Sequence, residues 1–127
     1  MADAPIDGQV VVLTAAKASV PPARLPDLLE RTATHLNPQL ERYRREYERI
    51  YGDDRRVAFL VEWGHWDEVG TTLELGDRET SAVRRAHEEQ LLRIGRNRGR
   101  EAEFETALEI REAVFLPIDG DTGERSR

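Results

Sequence analysis

Residues 64–87, GHWDEVGTTLELGDRETSAVRRAH, constrain the fold of this chain more than any other segment. Val69, Gly70, Leu73, Leu75 and Val83 fall where two helices joined by a short turn bring apolar side chains together. Gly70 is the small residue that a close crossing requires, and Leu73 and Leu75 bracket the turn. Asp77 stands where a second helix would be capped, with Glu79 near its positive end.

The chain of 127 residues has the size of one domain. Hydrophobic residues make up 39% and charged residues 35%, so the core is small and the surface heavily charged. Much of the apolar content is Ala and Leu, which points to helices more than to an all-β sandwich. There is no cysteine, which excludes a disulfide framework, a thiolate zinc site and a cysteine nucleophile. The start, MADAPIDGQVVVLTAAK, carries two acids and no base before Lys17, unlike a secretory signal. Its apolar run is far too short to span a bilayer. A soluble, cytoplasmic protein without a membrane partner is expected.

Residues 1–8 read as a flexible tail, 9–118 as one globular domain and 119–127 as a disordered tail. The valines of 9–14, QVVVLT, suit a short strand. Pro21-Pro22 stops any regular element. A helix starts near Arg24, with Leu25, Leu28, Leu29 and Leu36 at helical spacing. A second begins after Asn37-Pro38 and runs to Gly52, its stripe being Leu40, Tyr43, Tyr47, Ile50 and Tyr51. Asp53-Asp54 breaks that pattern. Residues 56–63, RVAFLVEW, have the length and composition of a strand, a short buried helix being the alternative. Residues 101–116 carry both a helical stripe and a strand-like alternation. Their Glu, Ala and Leu content favours helix, with a short strand at VFLPI. The fold class is α+β, predominantly α-helical: about five helices and one or two short strands.

Residues 65–95 resemble the helix-turn-helix of bacterial sigma-factor fourth regions, whose pattern is roughly apolar-Ala-x-x-Leu-x-apolar. Glu74 departs from it where Gly is frequent, and Thr80 where Val or Ile is usual. The second helix would bury Val83, Ala86, His87, Gln90 and Ile94. Arg78, Ser81 and Arg85 then line the outer face, and the resemblance implies that such residues meet base edges in the major groove. Arg84, Arg93, Arg96, Arg98 and Arg100 would neutralise phosphates. Residues 84–100 carry a local charge of +4 between acidic flanks, although the whole chain is at −6. Glu88 lies on the proposed reading face and would repel phosphate. The bland alternative is a solvated charged face on an ordinary helix pair.

Glu62 and His65 have the Glu-x-x-His spacing of di-iron bundles, but the ligand set is incomplete and Gly64 interrupts it. They also form a conceivable acid–base pair, without a nucleophile, oxyanion site or Gly-rich phosphate loop nearby. No catalytic residue, metal or cofactor is therefore expected. His87 reads as a hydrogen-bonded core histidine, and Trp63 and Trp66 as core anchors. Tyr43, Tyr47 and Tyr51 share one face of the second helix, which core packing or a homodimer interface would explain. Lys17 is the only lysine among 19 basic residues, a composition that resembles small uncharacterised proteins of halophilic archaea. Two functions follow: a helix-turn-helix regulator that binds double-stranded DNA and can pair as a dimer, or a protein-interaction or structural domain with no nucleic-acid role.

Overall fold

Helical spacing accounts for most of the chain. The structure, a computed structural model, describes residues 5–118. Helices α1 (Gly8–Ala18) and α2 (Arg24–Leu36) lead through a 3-10 turn (Asn37–Gln39) into α3 (Leu40–Glu46). Strands β1 (Glu48–Gly52) and β2 (Arg56–Glu62) form a hairpin. Then follow α4 (His65–Thr72), α5 (Asp77–Arg98), α6 (Glu101–Leu108) and strand β3 (Arg111–Pro117). The class is α+β, mainly helical, as the sequence implies. The tail expected at 119–127 lies outside the described residues, as do residues 1–4.

Three local expectations are corrected. Residues 9–14 are helical, within α1. Val10, Thr14 and Ala15 are buried at helical spacing against α5, and that packing outweighs the β preference of three valines. Residues 5–8 are anchored rather than loose. Ile6 is buried, and the Asp7 backbone N–H donates to Gln90 Oε1 at 2.6 Å. Gln90 Nε2 returns a bond to Asp7 Oδ2 at 3.1 Å, and Arg56 Nη1 reaches Asp7 Oδ1 at 3.1 Å. The helix expected to reach Gly52 stops at Glu46: Tyr47 is extended, and residues 48–52 pair with β2 instead. Asp53 makes the hairpin turn, its Oδ1 accepting the N–H groups of Arg55 and Arg56 at 2.8 and 2.9 Å.

The sheet is antiparallel in the order β1-β2-β3, so β3 has a free outer edge. The Ile118 N–H donates to Arg55 O at 2.7 Å, one pair beyond Arg56↔Pro117. Antiparallel pairing alternates, so residues 112, 114 and 116 bond to β2 and residues 113, 115 and 117 present their backbone groups outward. Three of the outward backbone sites are accounted for. Ala113 O accepts from Trp66 Nε1 at 2.9 Å, the Phe115 N–H donates to His87 Nδ1 at 2.9 Å, and Pro117 has no N–H to satisfy. Helices α4 and α5 thus seal the edge through side chains. β1, at the other edge, is short, charged and bulged between Arg49 and Tyr51.

Helix α4 ends in a left-handed residue, Glu74, at φ 59°. The Leu75 N–H bonds to Gly70 O at 2.8 Å and the Glu74 N–H to Thr71 O at 3.1 Å, which is the Schellman arrangement. The position where helix-turn-helix proteins often have Gly therefore has the backbone that Gly favours. The cap of α5 is Gly76 rather than Asp77, with Glu79 Oε1 accepting the Gly76 N–H at 3.3 Å. Gly70 and the buried Thr80 meet at the crossing: a Cβ on Gly70 would lie 2.9 Å from Thr80 Cγ2 and closer still to its hydroxyl. Thr80 thus fills the slot usually held by Val or Ile, with the same branched shape. Gly70→Leu should lower stability by about 1–3 kcal/mol through overpacking. Glu74→Gly should raise it by about 1 kcal/mol by relieving the left-handed strain. Thermal and denaturant melts of the two variants check both signs.

Candidate functional site

Helix α5 has 22 residues and so runs about 33 Å. It packs against α1, α2, α4, α6 and β3 and forms the centre of the domain. Val83, Ala86, His87, Gln90 and Ile94 are buried, as the helical wheel requires. Arg78 and Arg85 are exposed and Ser81 is half-buried on the same side of its first half. Among the described residues, Arg78 and Arg85 make no ion pair.

The other arginines of the basic stretch are engaged within the domain. Arg84 lies 3.8 Å from Glu88, whose carboxyl is pushed up by burial. Arg93 reaches Gln9 at 2.6 Å and Asp7 at 3.6 Å. Arg96 meets Glu101 at 3.3 Å. Arg98 donates to Tyr51 Oη at 3.4 Å and lies over that ring. Arg100 makes two bonds of 2.9 Å to Glu103, reaches Ile50 O at 3.3 Å and covers Phe104. Arg78 and Arg85 are thus separated along α5 from Arg96, Arg98 and Arg100, with Glu88 and Glu89 between them.

The tyrosines do not form one helical face. Tyr43 is buried in the core from α3, Tyr47 caps that helix, and Tyr51 is buried on β1 with its hydroxyl donating to Asp53 at 2.7 Å. Neither Tyr43 nor Tyr51 offers a surface to a second copy. The reason is the change from helix to strand at Tyr47, which rotates every later side chain away from the stripe.

Titratable groups gather where β2 passes into α4. Tyr43 Oη and His65 Nε2 share a hydrogen bond of 2.5 Å, and Tyr47 packs edge-on against the same imidazole. Burial pushes the Tyr43 hydroxyl up and the His65 imidazole down. The rings of Tyr43, Tyr47 and His65 have centroids 5.0–5.6 Å apart. They touch one another, so they form packing and leave no cage for a ligand. Glu62 ends a strand while His65 opens a helix, so their Glu-x-x-His spacing does not put them on one helical face.

Sequence reasoning missed Glu112. It is 1% exposed, and its two oxygens accept the N–H groups of Gly64 at 3.0 Å and Trp66 at 2.9 Å. These are free donors at the start of α4, where a carboxylate is favoured. The signal was present: a strand reading of 111–117 would have put a lone acid in an apolar run. Trp66 is drawn inward onto His87, with ring centroids 4.5 Å apart. Trp63, expected as a core anchor, is 64% exposed, and Ile110 is 71% exposed.

His87 accepts the Phe115 N–H with Nδ1, so its proton is on Nε2. Burial pushes its pKa from 6.5 down to about 3. The folded state thus holds the neutral ring while the unfolded chain takes up a proton below about 6.5. Stability should be full above that pH and decline toward pH 3, by up to about 1.4 kcal/mol per pH unit from this group. His65, also lowered, adds to the same slope. His87→Gln keeps an acceptor but cannot titrate, and urea melts from pH 7 to pH 4 should show a shallower decline. Glu112→Ala should cost about 2–3 kcal/mol, because two N–H groups lose a charged acceptor.

No helix among the described residues is long and apolar enough to cross a membrane. No curated protein and no solved structure matches the chain. A family model matches residues 4–118, which takes in all six helices, the sheet and the buried Glu112–Trp66–His87 cluster. The chain belongs to the family described as a domain of unknown function, DUF8048.

Proposed function

We propose that this is a protein-interaction domain in which the helix-turn-helix geometry of α4 and α5 serves packing rather than base readout. The observation that carries this is the engagement of the basic stretch: Arg84, Arg96 and Arg100 pair with Glu88, Glu101 and Glu103, and Arg98 lies against Tyr51. Exposed pairs of this kind contribute only about 0–1 kcal/mol each, so phosphates could compete for the arginines. The glutamates would nevertheless remain beside the duplex and repel it. The net charge of −6 acts in the same direction.

A DNA-reading role is the second reading. It is favoured by the Gly70–Thr80 crossing, by the left-handed turn at Glu74, and by Arg78 and Arg85 flanking Ser81 on the open side of α5. Homodimerisation fits either role. Val12 and Leu13 of α1, 66% and 59% exposed, are better suited to it than the tyrosines. A cytoplasmic setting belongs to the same proposal and rests on composition alone.

Fluorescence anisotropy with a randomised duplex pool across salt concentrations separates the two readings. The interaction domain should select no sequence and hold no duplex at low salt. A DNA reader would select a site, and Arg85→Ala would then cost about 1–3 kcal/mol and flatten the preference. Loss of Arg96, Arg98 or Arg100 would lower its salt slope by about one unit each.

A further inference from the structure

Trp63 and Ile110 are the two most exposed large apolar side chains of the sheet end, at 64% and 71%. Each stands one residue beyond the last registered pair, Glu62↔Arg111, so they sit at the same end of neighbouring strands. Glu62, Asp67, Glu68 and Glu109 are exposed within a few residues of them. Arg111, which opens β3, binds Glu48 at 2.8 Å, and Arg42, close enough to act on His65, binds Glu46 at 3.2 Å. Four exposed acids that make no ion pair among the described residues thus flank this apolar pair along the chain.

From this charge complementarity we infer that the Trp63–Ile110 surface docks a basic polypeptide segment carrying an apolar anchor residue. The inference rests on the protein-interaction reading above. Trp63 and Ile110 would cover the anchor, since exposed aromatic side chains supply most of the affinity in such contacts. The acidic rim would pair with flanking Lys or Arg, speeding encounter and rejecting acidic segments.

The probe is a randomised peptide library displayed on phage, selected on the wild-type domain and counter-selected on Trp63→Ser/Ile110→Ser. Both positions are exposed, so the double variant should melt with the wild type. Enriched peptides should carry net positive charge around a Leu, Phe or Trp. They should bind the double variant roughly 10-fold more weakly or worse, and lose affinity as salt rises. They should also protect Trp63 from acrylamide quenching, while the buried Trp66 reports no change. Three outcomes overturn the inference: no enrichment, enrichment without excess basic residues, and equal binding to the double variant. A dimer in sedimentation that the double variant abolishes overturns it as well, by assigning the surface to a second copy. Site-selective duplex binding would instead defeat the interaction reading itself, and the anisotropy titration reports that separately.

Discussion

The outer edge of β3 is the constraint on which the rest of the domain depends. An edge strand presents unpaired backbone groups, and a buried edge must have each of them satisfied. Here two of the outward groups are bonded by helix side chains: Ala113 O by Trp66 of α4, and the Phe115 N–H by His87 of α5. Pro117 has no N–H to present there. This fixes where α4 and α5 sit relative to the sheet, and it explains why a histidine with a strongly depressed pKa occupies the core. Its imidazole must stay neutral to accept that bond.

The basic stretch shows how a local charge sum can mislead. Six arginines against two glutamates in 84–100 read as a patch, but α5 spreads Arg84 to Arg98 over about 21 Å and around its unburied side. The acidic flank at 101–112 folds back as α6 and the start of β3, bringing Glu101 and Glu103 onto Arg96 and Arg100. Charges that alternate in blocks along the chain become neighbours in space. Arg78 and Arg85, on the half of α5 that α6 does not reach with its acids, have no ion pair among the described residues, and Arg98 has Tyr51 in place of one.

Much of this was legible in the sequence. The α4–turn–α5 unit, the crossing at Gly70 and the buried face of α5 follow from spacing, and the strand at 56–62 from length and composition. His87 was identifiable as a core histidine, because it shares an apolar face with Gln90. The failures have physical causes. Residues 9–14 have strand-like propensity, but α5 offers a helical groove to them. The stripe from Leu40 to Tyr51 holds helical spacing across a point where β2 needs a partner strand, and pairing wins over periodicity. Glu112 was hidden because 101–116 changes from helix to strand at its middle, and only the strand register points that carboxylate inward. The exposed pair Trp63 and Ile110 was invisible for a related reason: an aromatic beside an apolar run normally belongs to it.

The separation of the two tryptophans follows from the same clamp. Trp63 and Trp66 are three residues apart, and on one continuous helix they would share a face. Gly64 prevents this with φ at 96°, a left-handed conformation that turns the chain between strand and helix. Glu112 then holds the N–H groups on either side of His65, so the turn has little freedom to relax. Trp66 is directed onto His87 and the β3 edge, and Trp63 is directed out. Burying an aromatic of that size would stabilise the fold by about 1.5–3 kcal/mol, a gain that the domain forgoes at Trp63. The interactions that close the β3 edge are therefore the ones that present Trp63, beside Ile110, to whatever the domain meets.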